Sequence, residues 1–246
     1  MAAGAGESGQ LKFPAGSQPV FQGSSTQKHP LGCRGEDAFG RVFRYAGNSS
    51  NATALVPGHW LQSAAQVDEH QAMTVAAAAI GDKSITVTPA AAAGAADLYA
   101  EGFAVIRVTP GIGYTYPVKT HLAITASTAF VVQLMPGWTI QVALTTDSRV
   151  SLFPNPYKNV VDGPASLTCS PAGVAVSPLA ASEFGWIGVH GLFASAIEDT
   201  PAVGQSVGAP SDTAGQLKIF ATTDPIVGHI QETGVDDTAC GVMWIL

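Results

Sequence analysis

Charge is scarce in this chain. Only 12% of its 246 residues are Asp, Glu, Lys or Arg, about half of the roughly 25% usual for a globular domain. The missing charge is replaced by Ala, Gly, Val, Thr and Ser. A surface of that composition has little reason to stay fully wetted, and other copies of the chain or a partner lattice would cover it. Long apolar runs are also lacking. None approaches the ~20 residues that cross a bilayer as a helix, so no membrane partner is expected. Net charge is −7, a poor basis for gripping nucleic acid, whose affinity rests on neutralised phosphates.

Cysteine is sparse: Cys33, Cys169 and Cys240, an odd number at wide spacing with no CxxC. This excludes a zinc-ribbon or redox pair and predicts free thiols, as in a reducing cytoplasm. The opening MAAGAGESGQLKF has neither a basic stretch nor an apolar core, so no secretory signal is expected. Without secretion, the sequons at Asn48 and Asn51 read as loop residues.

The common catalytic signatures are missing too. There is no GxSxG, HExxH, GxxxxGK[ST] or EF-hand loop. Gly111-Ile-Gly113 lacks the third glycine of a dinucleotide site and reads as a hairpin turn. Asp68-Glu69-His70 is the densest polar cluster, but consecutive residues cannot converge on one metal. His190 and His229 lie in apolar stretches and fit core or interface positions better than a hydrolase site with Cys169 or Ser170. Asp236-Asp237 reads as a solvated turn. Trp60, Trp138, Trp186 and Trp244 fit core or subunit contacts better than sugar platforms. No catalytic residue, cofactor or metal is assigned.

What is present is β-forming. Short runs of Val, Ile, Thr and aromatics are punctuated by 27 Gly and 16 Pro, and no long 3.6-period pattern appears. Strands are predicted over 41–45, 74–80 and 84–88 (a hairpin about 81–83), 103–108, 114–118 with Pro117 at an edge or bend, 130–135, 139–144, 149–153, 173–176, 184–190, 217–220, 226–230 and 240–246. The Ala-rich stretch 90–98 reads as a short helix or a loop. The fold class is all-β, with short-stranded barrel or sandwich domains and an extended N-terminal arm. The expected division is an arm (1–36), a first β domain (37–157) and a smaller one (158–246).

The arm carries the opposite sign to the body. Residues 1–50 hold five basic residues against three acidic ones, while the rest holds six against fifteen. The arm's apolar residues, Phe13, Val20, Phe21 and Leu31, stand apart and cannot form a core among themselves. With Lys12, Lys28 and Arg34 they are the expected contacts to a partner surface.

Four stretches carry a family likeness. They are His29–Gly32 with Phe39-Gly-Arg-Val-Phe-Arg-Tyr-Ala46; Val75–Thr88 with Glu101–Ile106; Ser148–Tyr157; and the C-terminal set Gly173–Val176, Phe184–Ile187, Pro225–Gly228 and Cys240–Leu246. In this order they resemble the decoration (cement) proteins of tailed-bacteriophage heads. The resemblance implies a non-enzymatic virion protein on the outer capsid, made in a bacterial cytoplasm. Its implied partners are the major capsid protein and itself, as a homotrimer. A tail- or fibre-associated β protein is the nearest alternative, and a sugar-binding or hydrolytic β domain a more distant one.

Overall fold

In the computed structural model, residues 13–14, 16–50, 53–233 and 238–246 are described. Among them the regular structure is sixteen β-strands and one 3-10 turn, Asp68–His70. The chain forms two compact units. One combines the chain up to Ala64 with Pro156–Leu246; the other is Ala65–Asn155. The division thus differs from the expected 37–157 and 158–246. The turn-rich stretch around Pro154–Tyr157 is a junction, but residues 37–64 group with the C-terminal part. The reason is long-range pairing: β3 (Trp60–Gln62), before the junction, pairs with β10 (Val161–Asp162) and β11 (Pro171–Ala175) beyond it.

The inserted unit is a closed barrel. Its strands are β4 (Met73–Val75), β5 (Ser84–Thr88), β6 (Phe103–Val108), β7 (Thr115–His121), β8 (Phe130–Leu134) and β9 (Arg149–Phe153). They close in the order β4-β5-β8-β7-β6-β9, every pair antiparallel. Alternation decides which side chains fill the barrel. In β8, Phe130, Val132 and Leu134 point inward while Val131 and Gln133 point out. Closure leaves no free edge, so Pro117 sits within the barrel, one residue from a register shift between β7 and β8.

One expectation changes here and one alternative is decided. Residues 139–144 form no strand. Ile140 and Leu144 are four apart, not two, and both are buried as a plug in the barrel mouth. Their backbone bonds go to the β4–β5 loop. The Ala-rich 90–98 is a loop, held by the Gly94–Ile124 bridge.

The other unit is a ten-stranded antiparallel sheet built on β12 (Phe184–Ile197). The first half of β12 lies between β11 and β2 (Val42–Gly47), which also pairs with β1 (Arg34–Glu36). After a register shift at Gly188–His190, its second half pairs with β16 (Thr238–Ile245). The sheet continues through β15 (Ile226–Ile230) and β13 (Ser206–Gly208) to β14 (Lys218–Ile219). Trp60, Trp186 and Trp244 are fully buried in this unit. The Trp244 indole N–H donates to Ser195 Oγ at 2.8 Å. Asn48 is also buried, and its amide donates to the carbonyls of Thr53 and Leu179. Asn51 lies outside the described residues.

Candidate interaction surface

The N-terminal segment does find grooves, and they belong to its own chain. Phe13 packs edge-on against Trp186, with ring centroids 4.9 Å apart, and lies 5.7 Å from Phe43. Gly35 makes the room. A Cβ there would stand 2.3 Å from the Phe13 ring, so a larger residue in β1 would displace it. Val20 packs against the same core and Leu31 is buried in it.

Gln18 is the main polar tie. Its side-chain amide donates to the Phe184 carbonyl (2.9 Å) and its carbonyl oxygen Oε1 accepts from Tyr45 Oη (2.9 Å). Its backbone carbonyl accepts the Trp186 indole N–H (2.9 Å). Ser24 then exchanges two backbone bonds with Phe184. The segment expected to cover a partner therefore covers Trp186 and Tyr45, whose polar tips need buried partners.

The expected contact residues divide accordingly. Phe13, Val20 and Leu31 face inward. Phe21, Lys28 and Arg34 face solvent, with Arg34 Nη2 3.1 Å from Glu36 Oε2. Lys12 lies outside the described residues.

Beside this segment is an open apolar surface that the sequence reading had not marked as a site. Phe39 is 89% exposed at the tip of the β1–β2 turn. Asp37 builds that turn, its Oδ1 accepting from the backbone N–H of Phe39 and Arg41. A hollow of about 370 Å³ lies between Phe39, Phe21, Val20 and Phe13. A second, of about 460 Å³, continues past Arg41 to Leu192 and Phe193. The Arg41 guanidinium sits 5.6 Å from the ring centroids of both Phe43 and Phe193, and its Nε–H donates to Asp37 Oδ2 at 2.6 Å. Burial raises the Asp37 pKa, but the bonds from Arg41 and Phe39 outweigh it and hold the carboxyl below its usual value. The sequence signal for this surface was a large aromatic placed next to a turn glycine, Phe39-Gly40.

The arrangement offers contact area and little reactive chemistry. Cys240 is buried beside Glu232, and both push its thiol pKa up, away from the reactive thiolate. The three cysteines are unpaired. Ser206 Oγ lies 3.3 Å from His229 Nδ1 as a cross-strand neighbour, with no carboxylate extending the pair among the described residues. His190 is exposed. In the 68–70 turn, Asp68 and Glu69 face solvent while His70 is fully buried, its Nδ1 2.6 Å from the Tyr99 hydroxyl. No group of three His, Cys, Asp or Glu among the described residues could hold a metal ion. Asp236 and Asp237 lie outside them. Trp138 is half exposed, unlike the other three tryptophans.

The class these features define is an all-β protein, a barrel inserted into a curled sheet, with apolar side chains left in solvent. Comparison of the chain with protein-family profiles, curated proteins and solved structures finds no match to any of them.

Proposed function

We propose that this chain is a structural virion protein that decorates the outside of a tailed-phage head, bridging neighbouring major capsid subunits and associating with itself as a trimer. The observation that carries the reading is the number of large apolar side chains left in water by so charge-poor a chain. Phe21, Phe39 and Val203 in the sheet unit, and Ile80, Ile112 and Leu122 in the barrel, are each more than 60% exposed. Single exposed apolar residues are ordinary. Here they stand on both units, with few charges to keep the surface wet, as a protein that works among neighbours in a lattice requires. The four-part resemblance to head decoration proteins supplies the particular lattice. The proposed contacts are the outward-facing residues Phe21, Lys28, Arg34 and Phe39, with Phe13, Val20 and Leu31 as their support.

The role is cement, not catalysis. Each copy adds a modest contact, and a repeating shell makes many such contacts strong through effective concentration. Immunogold electron microscopy of virions of the phage encoding the chain tests this. Label over the whole head surface is the expected result. Label confined to the tail would replace the reading with the tail-associated alternative, and unlabelled particles would end it.

A further inference from the structure

The barrel's two ends differ. The chain enters before Met73 in β4 and leaves after Phe153 in β9, two paired strands at one end. Since all neighbours are antiparallel, loops 76–83, 109–114 and 135–148 gather at the opposite end. They are tied together there. Gly81 N–H donates to Ile140 O and Ile140 N–H to Asp82 O, both at 2.9 Å. Ser148 Oγ donates to Pro110 O at 2.8 Å. Each loop lifts one large apolar side chain into solvent beside a glycine with positive φ. These are Ile80 (68% exposed) before Gly81, Ile112 (63%) between Gly111 and Gly113, and Trp138 (50%) after Gly137. A Cβ built at Gly81, Gly113 or Gly137 would meet nothing within 4 Å, so these turns stand clear of the rest of the unit. Tyr114, also exposed, adjoins them.

We propose that this three-loop end of the barrel is a contact between copies of the chain. The inference rests on the self-association part of the proposed function, not on its head-binding part. Charge favours a second copy as the occupant. The loops and their bases carry Asp82, Lys83, Arg107, Asp147 and Arg149, mixed in sign and nearly balanced, so identical ends can meet without repulsion. Arg149 is further tied down by donating to the carbonyls of Thr146 and Ser148. The opposite end holds Asp68, Glu69, Asp97 and Glu101 against Lys119 at its base, a clear acidic excess that would repel its like. An anionic bilayer would need a clear positive excess that the near-balanced loops lack. Four side chains exposed to this degree offer on the order of 400–500 Å² per copy, short of the ~800 Å² a side of a standard stable interface. The association is therefore weak and concentration dependent.

Sedimentation velocity of the full chain, from low to high micromolar loading, tests the proposal. The wild type is expected to shift reversibly to a larger species. The triple variant I80S/I112S/W138S, with unchanged circular dichroism, is expected to associate on the order of 100-fold more weakly. I112K alone should act in the same direction, which covers the case of a misfolded triple variant. L122S, at the other end of the barrel, should leave association unchanged. A wild type that stays monomeric throughout overturns both this contact and the self-association it rests on. A wild type that associates equally well with or without the three side chains overturns the contact alone. So does a triple variant that still assembles but no longer decorates heads, whereas a monomeric wild type that sediments with phosphatidylserine vesicles overturns both and makes a bilayer the occupant.

Discussion

Several side chains here serve the fold through one well-placed polar atom, and their removal has a definite sign. Ser195 is fully buried and accepts the Trp244 indole N–H. Ser195→Ala leaves that donor dry and without its partner, at a cost of about 1–3 kcal/mol. Equilibrium urea unfolding should show a lower midpoint with an unchanged slope. Asp37 behaves differently because its role depends on ionisation. Its carboxyl pKa is held down in the folded chain, so its contribution is present in full above the ordinary carboxyl value near ~3.9 and fades as pH falls through the folded value. Asp37→Asn should be less stable than wild type at neutral pH, and the two should converge in acid. A stability gap that stays constant from pH 7 to the acid limit would rule out this account of the β1–β2 turn.

The N-terminal segment is the element whose role changed most between sequence and structure. Its scattered apolar residues suggested an arm seeking a partner. The composition was right, but nothing local in 13–36 says that its groove lies on Tyr45 and Trp186 of the same chain. Deleting residues 1–24 removes Phe13, Gln18 and the Ser24 bridge together, so Trp186 becomes wet. Its fluorescence should shift to the red and the thermal midpoint should fall by several degrees, in line with a loss of a few kcal/mol. An unshifted spectrum would show that the segment is not seated as described. Elsewhere, local patterns were readable wherever period two was strong: β5, β6, β8, β9, β15 and β16 lie where Val, Ile and aromatic alternation placed them. The pattern failed where burial has another geometry. Ile140 and Leu144 looked like a strand but plug a barrel mouth. Trp60–Gln62 is too short a run to announce a strand, yet it becomes one between two distant partners. The apolar surface at Phe39 could be suspected from its turn glycine, whereas the three-loop end of the barrel depends on closure, which no local pattern encodes.

For the molecule as a whole, the consequential feature is that the barrel is an insertion with its own core. Its buried cluster runs from Met73 to Leu152 without a residue from the sheet unit, and closure satisfies its strand edges internally. The sheet unit, in turn, joins β3 to β10 and β11 across the insertion. In particular Gln62 pairs with Val161, so the chain returns beside the strand from which it left. Buried clusters that never cross from one unit to the other predict two separable folding units. Residues 65–155 expressed alone should give a dispersed amide NMR spectrum and a cooperative thermal transition. The complementary chain, with 65–155 replaced by a short Gly/Ser linker, should retain buried tryptophan fluorescence from Trp60, Trp186 and Trp244. Trp138, the exception in exposure, leaves with the barrel, so the mean emission of the complementary chain should move to the blue. A barrel fragment that is unfolded in isolation, or a sheet unit that collapses without it, would mean that each core is completed by the other, and the inserted-domain account would fail.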